Sequence, residues 1–344
     1  MIGQEIDRQN SSEDYSEVSS LDQLTYTNNE CKVRLTENIV MTGAVTVNNG
    51  NRLTIDLNGH TLTAAENSRA FFIQNGALTI EDSGSTGVIQ GSGTVTGNGG
   101  AIWMSSSDSN NALTLTGGTI RGFTATDGGG VYVSGGSFKM TDGTISTCNA
   151  TNAGGGVYVS SGSFEMSGGS IENCTAHEGA GVKVLASSGK ASFSMSGSGE
   201  IKNCNQDGVS IAAIGGTSEF SMSGGTIEDN SGFGVWVDNG SAVMSGGSVK
   251  GSERYDIYIG SRAALTVKNT QVGGTVLNLG KITGQGSAEF TGTVENSGYA
   301  VAEITGCKIH RIEHRSPYKG TITGSTWDEY VYLLGRSLSL IHIS

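Results

Sequence analysis

The sequence predicts an all-β fold, a single-stranded right-handed parallel β-helix (a solenoid) with about three short strands in each coil. Three observations lead to this prediction. The chain repeats itself with a period of about 26 residues, apolar and polar residues alternate within each short motif, and the 344 residues include 55 glycines but 1 proline. A solenoid grows along one axis because each coil contacts only its neighbours, so one domain of this length is allowed.

The repeat contains three recurring strand motifs. The first places alternating apolar residues after a Gly pair, as in GGGVYV from Gly128 and again from Gly154. The second is SFKM from Ser137 and its copies. The third is a Gly-rich turn before a β-branched residue, found at Ile120, Ile145, Ile171, Ile201, Ile227 and Val249. Members of this third series are about 22 to 30 residues apart, so the turns absorb insertions while the register is kept.

Each motif alternates with the period of two that is expected for strands. Val131 and Val133 are predicted to point inwards and Tyr132 outwards. Stacked coils would superpose equivalent residues at ~4.8 Å, and every backbone group would then pair along the stack. Glycines at the corners supply backbone conformations with positive φ.

Four segments are predicted along the chain. Residues 1–30 form an N-terminal arm with a short capping helix, residues 31–272 form the regular β-helix, and residues 273–337 form irregular terminal coils. The helix prediction depends on Ser20 and Gln23, which have the spacing of a capping box over Leu21 and Leu24. Such a helix would cover the apolar opening of the first coil.

The fourth segment, residues 338–344, reads LSLIHIS and resembles the translated end of a transposase sequencing adapter. The alternative is a terminal strand, since Leu338, Leu340, Ile341 and Ile343 are apolar. We favour the adapter. We therefore expect the natural C-terminus to be missing from this sequence.

Charge and hydropathy limit the partners. The formal net charge is -12, which argues against nucleic acid and anionic membranes because phosphate would be repelled. No apolar run is long enough to span a bilayer, and the residues after Met1 contain no apolar signal-peptide core. Secretion would then require Met1 to be an internal start. We expect a monomer with no cofactor.

The motifs resemble those of right-handed β-helix surface proteins of bacteria, especially the Gly-Gly-Thr-Ile repeat proteins of gut organisms. The resemblance covers roughly residues 30–280 and rests on IDLNGHTL from Ile55, MSGGSIENCTA and GGGVYV. The sequence is also similar to the wider pectate-lyase-like superfamily, and GGAI from Gly99 is similar to repeats of polymorphic autotransporters, whose Phe-x-x-Asn motif is not regular here. The resemblance implies an extracellular or cell-surface adhesin and supplies no catalytic residues.

The outward position of the first strand forms the candidate ligand-binding site. We call this set the aromatic stripe: Trp103, Tyr132, Tyr158, Trp236 and Tyr258, with Lys183 and Ser210 in the intervening coils. Solvent-facing rings in line form a platform on which a sugar or a peptide can stack. The alternative is packing between rings of adjacent coils that stabilises the sheet alone.

Two other columns are predicted to be structural ladders. Glu172, Lys202, Glu228 and Lys250 alternate in charge, and each exposed pair would contribute ~0.2 to 1 kcal/mol. Cys148, Cys174, Cys204 and Asn230 share one repeat position at a corner. Adjacent cysteines would be close enough for a disulfide, and Cys174 with His177 raises the alternative of zinc, although a four-ligand spacing is missing. We therefore predict no metal site.

Three functions remain open. The first is an adhesin or binding scaffold for a glycan or protein ligand. The second is a polysaccharide lyase or glycoside hydrolase, for which the nearest groups are Asp56 and His60, while His310 and His314 in HRIEHR are interpreted as part of a solvated face. The third is a passive stalk, in which roughly ten coils would give a rod of about 50 Å.

Overall fold

The computed structural model describes residues 15–22, 24–105, 110–315, 320–327, 331–333 and 341–343. It confirms the predicted parallel β-helix: every described strand except β11 and β15 belongs to one sheet, and its named strands pair in parallel. Each strand pairs with the equivalent stretch of the next coil, and consecutive strands such as β1 and β2 or β24 and β25 pair where they occupy the same face of adjacent coils.

The first coils contain strands β1 to β7. Their bounds are β1 Ser16–Val18, β2 Glu30–Leu35, β3 Ile39–Val40, β4 Val45–Asp56, β5 Thr61–Thr63, β6 Phe71–Glu81 and β7 Val88–Gln90.

The middle coils contain strands β8 to β25. Their bounds are β8 Ile102–Met104, β9 Ala112–Leu115, β10 Thr119–Arg121, β11 Thr124–Asp127, β12 Val131–Val133, β13 Ser137–Met140, β14 Thr144–Ser146, β15 Asn149–Ala153, β16 Val157–Val159, β17 Gly162–Met166, β18 Ser170–Glu172, β19 Val182–Ala186, β20 Lys190–Met195, β21 Glu200–Lys202, β22 Val209–Ala213, β23 Thr217–Glu228, β24 Phe233–Lys250 and β25 Tyr255–Lys268.

The last coils contain strands β26 to β35. Their bounds are β26 Gln271–Val272, β27 Val276–Asn278, β28 Lys281–Gln285, β29 Glu289–Asn296, β30 Val301–Thr305, β31 Lys308–His314, β32 Gly320–Thr323, β33 Thr326–Trp327, β34 Val331–Leu333 and β35 Ile341–Ile343.

The coil has three faces, which we number by the sequence motifs. The first face contains β12 and β16, the second β13 and β17, and the third β14 and β18. The predicted third series is confirmed, since its members pair in consecutive coils from Ile120 to Val249. Val131 and Val133 are fully buried and Tyr132 is not, which confirms the predicted alternation.

The core is a set of apolar columns that run along the axis. On the second face Phe138, Phe164, Phe193 and Phe220 stack with ring centroids 4.5, 4.8 and 5.2 Å apart. All four rings are fully buried or nearly so. Because equivalent side chains lie directly above one another, each ring is held by a copy of itself.

A short second sheet forms a ridge beside the first face. Strands β11 and β15 pair in parallel, and single bridges extend the ridge to Thr94 on one side and to Thr175 and Glu178 on the other. The ridge lies between the third face of one coil and the first face of the next. Its alanines Ala125 and Ala150 are buried, and Ala150 belongs to the core.

The coil is shorter beyond β26. Leu277 pairs with Glu295 and Glu295 pairs with Glu313, so a coil takes about 18 residues there. The register of all three faces nevertheless continues to β34. A search for a period near 26 residues therefore loses the repeat although the fold continues.

The predicted capping helix is wrong. Residues 20–22 and 24–26 are not helical, and Gln23 lies outside the described residues. Instead β1 pairs with β2, and the following segment places Leu21 in the core with Leu24 packed against it. Two apolar side chains thus cover the first coil without the cost of forming an isolated helical turn.

The C-terminal residues are described only in part. Ile341–Ile343 pairs in parallel with β32, whereas residues 338–340, including Leu338 and Leu340, lie outside the described residues.

Candidate functional site

The aromatic stripe lies in one outward column of the first face. Consecutive pairings join Phe72, Trp103, Tyr132, Tyr158, Lys183, Ser210, Trp236 and Tyr258. The predicted residues therefore share a line, and Phe72 extends it by one coil. The rings do not form a continuous platform, however, because Lys183 and Ser210 separate two aromatic groups.

The first aromatic group is largely covered. Arg69 lies 4.7 Å from the centroid of the Trp103 ring, and Phe72 packs against the same ring at 5.0 Å. Tyr132 and Tyr158 stack on each other at 5.1 Å with an angle of 20° between their planes. The facing surfaces of these two rings therefore contact each other and are closed to a ligand. This agrees with the alternative in which rings of adjacent coils pack together to stabilise the sheet.

Tyr158 is buried because the ridge stands beside it. Its exposed fraction is 7%. Burial raises the pKa of its phenol, and the neighbouring Tyr132, Asp127 and Glu178 raise it further. The chain enters this strand through Gly154 at φ 69°, where a Cβ would lie 2.8 Å from the Val157 carbonyl oxygen. Glycine is required there for the ridge to turn into the first face.

Lys183 occupies the gap between the two aromatic groups. Its side chain is 3% exposed, and its Nζ donates to Glu178 Oε2 at 2.7 Å and to Ser210 Oγ at 3.0 Å. The same Nζ lies 5.7 Å from the centroid of the Trp236 ring. This ammonium thus joins the end of the ridge to the second aromatic group.

The second aromatic group is a cluster rather than a row. Trp236 and Tyr258 meet edge to face at 6.1 Å, Phe233 packs against both, and Tyr255 stacks on Phe233. We call these four residues the aromatic cluster. Trp236 Nε1 is buried without a hydrogen-bond partner among the described residues, which is a costly arrangement for an indole N–H.

A groove of ≈ 740 Å³ opens beside the aromatic cluster. Leu185, Ala212, Ala213 and Ile214 supply its apolar surface, and Glu178, Lys183, Asp238, Asn239, Ser261 and Arg262 supply its polar atoms. Trp236 does not itself line the groove, but Lys183, which lines it, contacts the Trp236 ring, and Asp238 follows Trp236 on the same side of β24. The groove begins where the ridge ends, at Glu178.

Asp207 fastens the corner beneath this region. Its carboxylate accepts the backbone N–H of Gly179 at 3.2 Å and of Phe233 at 3.1 Å. Burial raises the pKa of this carboxyl, while the two backbone donors act in the opposite direction. The aromatic cluster and the end of the ridge are therefore held to one buried group.

The charge ladder has its members in adjacent coils. Lys202 Nζ lies 3.8 Å from Glu172, and Lys250 Nζ lies 3.1 Å from Glu228. Lys202 also bonds Glu200 of its own strand at 2.6 Å. These partly exposed ion pairs stabilise the register of the third face weakly.

The cysteine ladder points into the core. Cys148, Cys174, Cys204 and Asn230 are all fully buried, and the cysteines are free thiols. Asn230 Oδ1 accepts the Cys204 backbone N–H at 3.0 Å. A hydrogen bond with Cys174, together with burial, raises the pKa of the Cys148 thiol. His177 is exposed whereas Cys174 is not, so the two residues do not share a surface.

The carboxylate nearest to an enzyme site has a structural role. Asp56 is buried and accepts hydrogen bonds from Arg34 at 2.7 Å and from the Ser83 backbone and hydroxyl at 2.9 and 2.8 Å. Burial raises the pKa of Asp56, but these donors outweigh burial and lower it overall. A carboxylate whose oxygens already accept several hydrogen bonds cannot readily exchange a proton with a substrate.

The interpretation of HRIEHR as a solvated face is wrong for His314, which is fully buried. The reason is strand alternation: His310 lies on the outer side of β31, whereas Ile312 and His314 point inwards.

The described part of the chain shows neither a metal cluster nor a membrane-spanning helix. These residues contain no group of three or more His, Cys, Asp or Glu side chains that could hold a metal ion. They also contain no helix that is long and apolar enough to cross a membrane.

Comparison with known families agrees with this architecture. A family model described as the right handed beta helix region matches residues 108–272, which span β9 to β26. The chain is a right-handed parallel β-helix. No curated protein and no solved structure matches it. The match to the family model supports the fold and its right-handed winding. It indicates neither a ligand nor an activity.

Several residues around the groove were not indicated by the sequence. Phe233 and Tyr255 lie outside the outward position of the repeat, and Arg262 and Ile214 lie in corners of variable length. The residues between the third and first motifs, Phe123 to Asp127 and their copies, do indicate the ridge in the sequence. They lengthen each coil at that point.

Proposed function

We propose that this β-helix is a binding scaffold and that a glycan binds in the groove beside Trp236. The proposal rests on one juxtaposition. Lys183 contacts the Trp236 ring of the aromatic cluster and also lines a groove whose other polar side chains include Asp238 and Arg262. Aromatic rings stack on the apolar faces of sugars, and planar polar side chains bond hydroxyl groups.

The polar side chains of the groove differ in their availability. Lys183 and Glu178 satisfy each other, and Asn239 Nδ2 donates to the Ala213 carbonyl at 2.7 Å. Arg262 is exposed and has no ion-pair partner among the described residues. We therefore assign Arg262 and Asp238 as the groups that meet a ligand, and Lys183 as the group that shapes the site.

An extracellular or cell-surface location belongs to the same proposal. It is supported by the resemblance of the repeat to bacterial surface proteins. The groove could also accommodate a protein ligand, and the binding screen therefore includes surface proteins.

The test is a binding screen of the full chain against immobilised neutral glycans, acidic glycans and surface proteins. Trp236→Ala and Arg262→Ala are expected to weaken glycan binding at least tenfold, which is about 1.4 kcal/mol. Tyr132→Ala is the matched control, because Tyr132 lies in the same column away from the groove, and it should bind as the wild type does. Absence of glycan binding, or equal loss in all three variants, would contradict the proposal.

The passive stalk is a second candidate, and one observation favours it. The first face stays in register from Thr46 to Tyr332, which gives a rod without reference to a ligand. A chain that binds no glycan and no protein in the screen would support the stalk. The enzyme alternative draws no support from Asp56 and His60.

A further inference from the structure

Five Asn-Gly pairs are candidate sites for a reaction between a side chain and its own backbone. They are Asn49-Gly50, Asn58-Gly59, Asn75-Gly76, Asn98-Gly99 and Asn239-Gly240. In such a pair the side-chain amide carbon can meet the backbone nitrogen of the glycine, which has no Cβ to hinder the approach. The two atoms must be free to come together before they react, and the structure allows this to different extents in the five pairs.

Two of the pairs are held by the asparagine side chain. The Nδ2 of Asn58 donates to a backbone carbonyl at 3.0 Å, and the Nδ2 of Asn239 does the same at 2.7 Å. The glycine of the first pair is held as well, since the Gly59 N–H donates to Asp82 Oδ1 at 2.7 Å. A bonded amide must give up its hydrogen bond before its carbon can reach the backbone nitrogen.

Two further pairs are held at the glycine. The Gly76 N–H donates to Asn111 Oδ1 at 3.2 Å, and the Gly99 N–H donates to the Asp127 carbonyl at 2.8 Å. Both glycines are buried. The nitrogen that would attack is therefore engaged in each of these two pairs and shielded from water.

The remaining pair is open. Asn49 and Gly50 are both exposed, which is true of none of the other four pairs, and the Asn49 side chain has no hydrogen bond to any described residue. Strand β4 pairs with β6 up to Asn48 and again from Asn51, so the pair lies in a bulge between them. A Cβ placed on Gly50 would have no atom within 4 Å. Neither reacting group is therefore restrained by a neighbour.

We propose that Asn49 is a site of spontaneous deamidation. The Gly50 nitrogen attacks the Asn49 amide carbon, the new C–N bond forms, and the bond from that carbon to Nδ2 breaks. Ammonia leaves with the proton of the Gly50 N–H, and a cyclic imide remains. Water then opens the imide at one of its two carbonyl carbons and gives aspartate or isoaspartate. Each event consumes one water and releases one ammonia, and nothing is oxidised or reduced.

The position of the bulge determines what the reaction does to the fold. The product carries one negative charge that the amide lacks, and isoaspartate also lengthens the backbone by one carbon. Because the pair lies between two paired stretches of β4, the pairing with β6 on both sides can persist around the longer backbone. The modified chain is therefore expected to stay folded and to differ from the original in charge.

Incubation of the full chain at neutral pH, followed by proteolysis and peptide mass spectrometry, tests the proposal. Asn49 is expected to lose its amide at least about tenfold faster than the asparagine of any other Asn-Gly pair. The same chain in denaturant is the control, because unfolding frees all five pairs, and their rates should then become similar. Equal rates in the folded chain, a faster reaction at another pair, or no reaction at Asn49 would overturn the proposal.

A matched pair of variants tests the role of the glycine. Gly50→Ala places a methyl group beside the attacking nitrogen and should slow the loss of the Asn49 amide about tenfold. Gly43→Ala is the control at another glycine with open space around it, and it should leave the rate at Asn49 unchanged. An unchanged rate in Gly50→Ala would equally overturn the proposal, since the amide would then be lost without attack by this nitrogen.

Discussion

At the residue scale, the corner before the cysteine ladder shows how the backbone selects side chains. Thr147, Asn173, Asn203 and Asp229 precede the four ladder residues, and all have φ between 49° and 54°. Asn and Asp tolerate this left-handed conformation, whereas a β-branched residue such as threonine is strained in it. Thr147 is therefore the poorest fit in its series.

Thr147→Asn is expected to raise the free energy of unfolding by about 0.5 to 1 kcal/mol, because it relieves this strain. Denaturant titration of the full chain measures the change. Thr141→Asn is the matched control at a turn position with ordinary φ, and it should alter stability by less than about 0.5 kcal/mol. A destabilised Thr147→Asn variant would show that the threonine makes a contact that outweighs its backbone cost.

Lys183 and Glu178 allow a second prediction at this scale. Glu178→Gln should destabilise the protein by about 1 to 3 kcal/mol, because it leaves a nearly buried ammonium without its charged partner. Lys183→Met should cost less, since it removes the charge and keeps the volume, while water can solvate the half-exposed Glu178. Thermal unfolding of both variants gives the comparison, and a greater loss in Lys183→Met would mean that the pair contributes net stability.

Prediction from sequence worked where a residue's role depends on its place in the repeat. The outward column from Trp103 to Tyr258 and the shared repeat position of Cys148 and its copies follow from counting residues, whereas the burial of the cysteines does not. Exposure did not follow, because Tyr158 is covered by a ridge and Trp103 by Arg69, and neither cover belongs to the same strand. The same limit applies to His310 and His314. They lie in one charged stretch, but His310 is on the outer side of β31 and His314 is buried.

At the element scale, the phenylalanine stack is a local source of cohesion along the second face. Phe164→Ala is expected to cost about 3 to 5 kcal/mol, because it leaves a cavity between two stacked rings and the sheet cannot collapse around it. Tyr132→Ala should cost far less, since its ring lies on the outer side. Chemical denaturation of both variants tests the ranking, and equal losses would contradict the assignment of inner and outer columns.

The elements divide into those that the sequence predicts and those that it does not. Strands with a copy one coil away are predicted, because a single pattern is read many times. The prediction of a capping helix was wrong. Ser20 and Gln23 are a single pair with no copy in the repeat, and the free energy gained by burying Leu21 outweighs their preference for a helix start. The regularity of the coils beyond β26 was underestimated. The number of residues in a coil changes there, while the pairing register between coils does not.

At the scale of the whole molecule, stability comes from repetition. Consecutive coils separated by ~4.8 Å from Thr46 to Tyr332 give a rod on the order of 60 Å long. Each coil is bonded to two neighbours, and the described open edges lie at the two ends. Such a rod displays the groove at a fixed height along its length, which suits a binding scaffold and a stalk equally well.

The central claim is that equivalent residues superpose along one axis, and distances between spin labels test it most directly. Lys139, Ser221 and Glu303 are exposed positions of one column on the second face. Labels at Lys139 and Ser221 should be about 14 Å apart, and labels at Lys139 and Glu303 about 34 Å apart, before allowance for the label linkers. A Lys139 to Glu303 distance equal to or shorter than the Lys139 to Ser221 distance would contradict the parallel stack.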